Sequence, residues 1–199
     1  MNENTDETRQ SDEELMRAVA TGSEAAFTEL FGRYKRQIHG YFGRRMEEAA
    51  AAEELTQEAF LAVLCGAARY EQRATFRTYL YAIALKLLRA HRRKSVFRGK
   101  FAGYRKEDAQ NGRPDGTEAS LWVRGAVEKL DPMDREILLL REFEELSYDE
   151  IAELLRLPLN TVRSRLFRAR EALRELLKPR ESIAPAKSGQ ESAETGERA

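Results

Sequence analysis

The stretch from Leu146 to Leu176 admits very few folds. Ser147 and Glu150 stand at capping-box spacing, where hydroxyl and carboxylate each satisfy an amide that helix geometry leaves orphaned. Leu146 and Ile151 flank the box at the positions of a hydrophobic staple. Together they predict a short helix from Tyr148 to about Leu155. Arg156 to Leu159, with Pro158 inside it, predicts a tight connection, and Asn160 is placed to cap the next helix. Wound at 100° per residue, that helix gathers Val162, Leu166, Ala169, Leu173 and Leu176 on one side. Asn160, Arg163, Ser164, Phe167, Arg168 and Glu171 gather on the other. A short capped helix, a turn of a few residues and then a basic helix predict a helix-turn-helix.

Phe167 thus points away from its own core, between arginines and a serine, and a large exposed aromatic wants a partner. In a helix-turn-helix the second helix enters the DNA major groove. There an arginine fork fits the O6 and N7 edge of guanine, serine reaches base or phosphate, and phenylalanine packs on a thymine methyl. The competing reading packs Phe167 against another part of the chain, such as a linker.

The remainder reads as nearly all helix, with abundant Ala, Leu, Glu and Arg and no strand-like alternation. Ser11 with Glu14 makes another capping box, and Gly22-Ser23 restarts a second helix near Glu24 that carries Phe27, Leu30, Phe31 and Tyr34 toward a core. A third helix is expected from about Ala50 to Leu64, burying Leu55, Ala59, Phe60 and Val63. Gly66 to Thr75 reads as a loop, and a fourth helix from Phe76 to about Arg93 sets Phe76, Leu80, Ile83 and Leu87 on one face. Between Ser95 and Ser120 the apolar period stops among Gly99, Gly103, Asn111, Gly112, Pro114 and Gly116, which predicts a flexible linker. Asp131 with Pro132 then opens a helix carrying Ile137, Leu138 and Leu140. The expected fold is all-α: two small helical domains, at 11–95 and 121–178, joined by a linker at 96–120. Polar ends at 1–10 and 179–199 are expected to be disordered.

Charge is balanced overall and segregated locally. Lys86 to Lys106 holds nine basic residues and no acidic one, whereas Glu47 to Glu58 holds five glutamates and no basic residue. Such segregation suggests two differently charged partners, against the plainer reading of solvated helix faces. On the fourth helix Tyr79, Ala82, Lys86, Arg89 and Arg93 form one stripe, next to a loop holding Arg69, Tyr70 and Arg73. Rings among cations suit single-stranded nucleic acid, because bases stack while cations follow phosphates. A solvated helix with one half-buried tyrosine is the plainer alternative. The acidic third helix would repel that ligand and suits a basic protein surface.

Cys65 is the only cysteine and lies in an apolar stretch, so it reads as a small core residue, and no internal disulfide is possible. His39 and His91 lack companions at metal spacing, which leaves no candidate metal site. Neither a signal region nor an apolar run of membrane-spanning length is present, so a soluble, cytoplasmic protein with no membrane insertion is expected.

"AEELTQEAF" (52–60), "TFRTYLYAIALKLLRAHRRK" (75–94) and "LDPMDREILLLREFEELSYDEIAELLRLPLNTVRSRLFRAREAL" (130–173) together resemble the extracytoplasmic-function sigma factors of bacteria. The resemblance spans roughly 11–178 and implies a non-enzymatic transcription initiation factor without cofactors. It implies that the first domain, region two, binds core RNA polymerase around Glu54, Gln57, Glu58 and Phe60. The same domain would capture an unstacked base of the minus-ten element with the loop at 66–75 and the helix after it, hence through Arg69, Tyr70, Arg73, Tyr79, Lys86, Arg89 and Arg93. The second domain, region four, would read the minus-thirty-five element of promoter DNA through Thr161, Arg163, Ser164, Phe167 and Arg168. An anti-sigma factor is the further partner the resemblance implies. Three positions depart from the family pattern: Tyr79-Leu80 replaces the usual Trp-Leu, Lys86 a common asparagine, and Arg156 a common glycine of the turn. The last costs little if Arg156 avoids a positive φ, and it could add a phosphate contact.

Two other function classes fit parts of the chain. An autonomous helix-turn-helix regulator would bind duplex DNA alone, but gives the acidic helix and the Tyr79 to Arg93 stripe no role. An enzyme would need a glycine-rich phosphate loop, a metal cluster or an activated nucleophile, and the sequence offers none.

Overall fold

Eight α-helices and no strand make up the described residues of the computed structural model, which are 10–46, 48–102 and 117–178. The first bundle holds α1 (Asp12–Ala20), α2 (Glu24–Gly43), α3 (Ala49–Gly66) and α4 (Phe76–Ala102), with one 3-10 turn at Ala67–Arg69. The second holds α5 (Glu118–Glu128), α6 (Pro132–Glu142), α7 (Tyr148–Leu155) and α8 (Leu159–Leu176).

Local chemistry starts α1, α2, α6 and α7 where the sequence says it should. Ser11 and Glu14 close a full capping box on α1, as Ser147 and Glu150 do on α7. Ser23 caps α2, and Asp131 accepts from the Met133 and Asp134 amides at the start of α6, with Pro132 in its first turn. Gly22, at φ +93, makes the left-handed turn from α1 into α2 at no Cβ cost. A contribution of about 1 kcal/mol per cap is modest beside the core, so capping sets boundaries while packing supplies stability.

The first core is aromatic. Phe31 packs edge-on to Phe60 with centroids 4.8 Å apart, Tyr34 to Phe76 at 5.4 Å, and Tyr41 to Tyr81 at 5.6 Å. Leu30, Ile38, Ala59, Leu80 and Ala84 complete it. In the second bundle Ile137, Leu140, Leu146, Ile151, Val162 and Leu166 are fully buried. Both members of the expected staple, Leu146 and Ile151, belong to that set.

Several expectations are corrected. Helix α4 runs to Ala102 rather than ending near Arg93, and α5 begins at Glu118, so helix enters the expected linker from both sides. Backbone hydrogen bonding can carry a helix on past its packed part, and one glycine in a helix costs only about 1 kcal/mol. The centre of that linker, 103–116, and the expected disordered ends, 1–9 and 179–199, lie outside the described residues. On α4 burial follows Tyr81, Ala84, Leu85 and Leu88 as well as Phe76 and Leu80, because α1, α2 and α3 hold the helix from several directions while α7 touches it too. Ile83 and Leu87 are only half-buried. Cys65 is exposed, sharing an outer face of α3 with Leu61 at i+4. Asn160 is not a cap: Pro158 holds that position, and α8 opens without a side-chain bond. Arg156 does adopt a left-handed backbone, at φ 56 and ψ 47.

Candidate nucleic-acid interface

Helix α8 is held from behind by α6 and α7 through Val162, Leu166 and Ala169. Its opposite side carries Arg163, Ser164, Phe167 and Arg168, all exposed, with Thr161 half-buried beside them. Phe167 is 66% exposed, so the alternative in which it packs on the described chain is not realised. Ser164 donates to the Thr161 carbonyl at 3.1 Å, leaving its oxygen free to accept. The arginines differ. Arg165 is anchored to Asp134 at 2.7 Å, while Arg168 only brushes that carboxylate at 3.9 Å and is 61% exposed. The first is structural support, and the second can swing onto an incoming ligand.

The other basic face lines a cleft of about 750 Å³ between α4 and α7. Tyr70, Arg73, Tyr79, Lys86, Arg89 and Arg93 all line it, so the structure brings the expected stripe and loop together. Arg69 is exposed just outside it. Tyr70 and Tyr79 meet edge-on at 5.0 Å, and Gly66 makes room: a Cβ there would stand 2.7 Å from the Tyr79 hydroxyl. Burial raises the pKa of both phenols above the ordinary 10.0, so both rings stay neutral at physiological pH. Arg73 is partly spent on Glu71, with its Nε 2.7 Å from that carboxylate. The facing wall belongs to the helix-turn-helix, through Glu153, Leu154, Leu155 and Arg156.

On α3, Glu54, Gln57 and Glu58 are exposed on one acidic face. Phe60 is not part of it: the ring is 2% exposed and wedged between Phe27 and Phe31. Its helical angle turns it inward with Leu55 and Ala59, so it can only brace the face from behind. Leu61 and Leu64 are exposed instead. The sequence could have shown Leu61, which stands three and four residues after Glu58 and Gln57. Leu121, Trp122 and Val123 of α5 are likewise exposed, and three consecutive apolar residues cannot all face one core.

Among the described residues no cluster of His, Cys, Asp and Glu is arranged to hold a metal ion, and no helix is long and apolar enough to cross a membrane. Fold and faces define a two-domain, all-helical protein built around a helix-turn-helix. Residues 30–97 match the family described as Sigma-70 region 2, and residues 120–173 match Sigma-70, region 4. The chain is 32% identical over 186 residues to the RNA polymerase sigma-H factor of Pseudomonas aeruginosa, covering 86% of this chain and 96% of that protein. It is 29% identical to the ECF RNA polymerase sigma factor SigW of Bacillus subtilis, covering 82% and 95%. Among solved structures, the sigma factor RpoE in complex with the anti-sigma factor NepR from Bartonella quintana has the same fold, with a TM-score of 0.63, 22% identity, and 76% and 96% covered. The chain belongs to the RNA polymerase sigma factors, in the extracytoplasmic-function subfamily, whose members are transcription initiation factors and not enzymes.

Proposed function

We propose that this sigma factor directs core polymerase to promoters by reading two elements in two different physical states. Helix α8 reads duplex at the minus-thirty-five element through Thr161, Arg163, Ser164, Phe167 and Arg168. The cleft on α4 takes unpaired minus-ten bases on Tyr70 and Tyr79, while Arg69, Arg73, Lys86, Arg89 and Arg93 follow the strand's phosphates. The α3 face of Glu54, Gln57 and Glu58, extended by Leu61, docks on core polymerase, with Phe60 supporting it from the core. It acts where polymerase is, in the cytoplasm, and a further partner is an anti-sigma factor, of the kind bound in the Bartonella quintana complex.

One observation carries the reading: the chain presents two separate basic, aromatic-bearing faces of opposite design. On α8 the aromatic is fully outward on a rigid helix; in the cleft two rings are half-buried against each other. An autonomous regulator needs only the first. Purified protein, core polymerase and a library of promoter fragments test this. Defined transcripts that vanish without the protein are expected. Tight duplex binding by the protein alone, with no transcripts, would favour the autonomous regulator instead.

A further inference from the structure

With Pro158 at the cap position of α8, the side chain of Asn160 is left without a part in the fold. It is exposed, and its carboxamide makes no hydrogen bond among the described residues. Arg163, three residues on, is exposed and equally unpaired, so neither side chain is spent on the other. Asparagine is also a weaker helix former than alanine. Helix stability therefore gives no reason for this residue at this place.

Its direction on the helix gives one. At 100° per residue Asn160 and Phe167 lie within about 20° of each other, two turns apart. Arg163 and Ser164 stand on either side of that line, and both are exposed. Asn160 thus occupies the centre of the outward face, in the first turn of α8. That is the end of a recognition helix from which side chains contact base edges. Residues at the centre of such a face meet the floor of the groove, while those on its flanks meet the phosphate walls.

We propose that Asn160 is a further specificity-determining residue, which reads an adenine of the upstream duplex. The inference rests on the reading of the minus-thirty-five element by α8 given above. A carboxamide offers an N–H donor and a carbonyl acceptor side by side. Adenine presents the complement in the major groove, where N7 accepts and the N6 amino group donates, so the two can bond at both atoms. Guanine has an acceptor, O6, where adenine has that amino group, and the match is lost. A phosphate offers acceptors only and would leave the carbonyl oxygen unused. Seven residues of helix rise about 10.5 Å, and base pairs stack about 3.4 Å apart. The adenine therefore lies about three base pairs from the thymine on which Phe167 packs.

Full-length protein assembled with core polymerase can select duplexes randomised across the minus-thirty-five element, with Phe167→Ala marking the position of its thymine. The parent should enrich an adenine about three base pairs from that position. Asn160→Ala should cut the preference for this adenine by about 5- to 150-fold, with the other positions and the melting temperature unchanged. Asn160→Asp keeps the shape but loses the donor that N7 needs, so its preference should move to cytosine, whose N4 amino group a carboxylate accepts. Preferences that both variants leave intact would overturn the assignment of Asn160. So would an equal loss on every sequence, which marks a backbone contact. A parent with no preference for any upstream sequence would sink the reading of the minus-thirty-five element itself, and this inference with it.

Discussion

Helix α8 and the α4 cleft use the same kinds of residue, arginine beside an aromatic ring, and arrange them in opposite ways. On α8 the ring of Phe167 stands clear of the protein, on a helix whose back is locked by Val162, Leu166 and Ala169. In the cleft Tyr70 and Tyr79 lean on each other, and α7 closes the far side. A duplex is a regular surface, so a rigid preformed face can be pressed against it. A single strand has neither fixed shape nor paired edges, so its site must supply ring surface to stack on and walls to exclude the wrong strand. The α8 face is open as it stands, whereas the cleft is walled on its far side by Glu153, Leu154, Leu155 and Arg156. On the proposed function, the difference follows from the physical state of each ligand.

The largest expected losses should separate the two faces cleanly. Arg168→Ala should cost about 1–3 kcal/mol at its cognate upstream base and relax specificity there. Equal loss on scrambled upstream sequence would make Arg168 a phosphate contact and weaken the contrast. Tyr79→Ala should cost a similar ~1–3 kcal/mol in single-strand binding by the holoenzyme, with duplex binding of the upstream element unchanged. Lys86→Asn should alter minus-ten base preference while leaving affinity for polymerase intact, measured by selection from a randomised element. If preference holds and only the salt dependence drops, by about 0.7 in log–log slope, Lys86 follows the backbone.

Much of the fold behind this comparison is legible in the sequence, and the limits of that legibility are physical. The α7 and α8 boundaries came from Ser147, Glu150 and the apolar period, since caps and periodicity act within a few residues. The outward face of α8 came from the same arithmetic. Cys65 departs from its expected burial because an apolar stretch does not say which of its members face out; Leu61 and Cys65 do. The excess length of α4 was hidden because a helix needs backbone bonds, not burial, to continue. Phe60 shows that a stretch resembling a docking motif contains buried residues as well as exposed ones. Least visible was the ion pair of buried Glu144 with Arg44, a hundred positions away, with no local pattern linking the two.

Smaller effects sharpen the account of the second bundle. Arg156 pays for a left-handed backbone that glycine adopts freely, so Arg156→Gly should raise stability by about 0.5–1 kcal/mol, read from the melting temperature. A lower melting temperature would mean that the side chain's contacts with the cleft outweigh the strain. At Glu150 burial raises the carboxyl pKa, but hydrogen bonds from Ser147 and Thr78 and the charge of Arg77 more than offset this and hold it below the ordinary 4.5. A depressed folded value means its stabilising contribution is complete above 4.5 and is lost as pH falls through that lower value. The melting-temperature gap between parent and Glu150→Gln should therefore shrink as the solution is acidified below that range, and a gap independent of pH would contradict the assignment.

The central claim is that one chain reads two physical states of DNA with two separate faces. It is tested most directly by measuring, for one set of holoenzymes, binding to an upstream duplex and to a single-stranded minus-ten oligonucleotide side by side. The account predicts that Phe167→Ala weakens only the duplex and Tyr79→Ala only the single strand. Comparable loss of both ligands in both variants would contradict it.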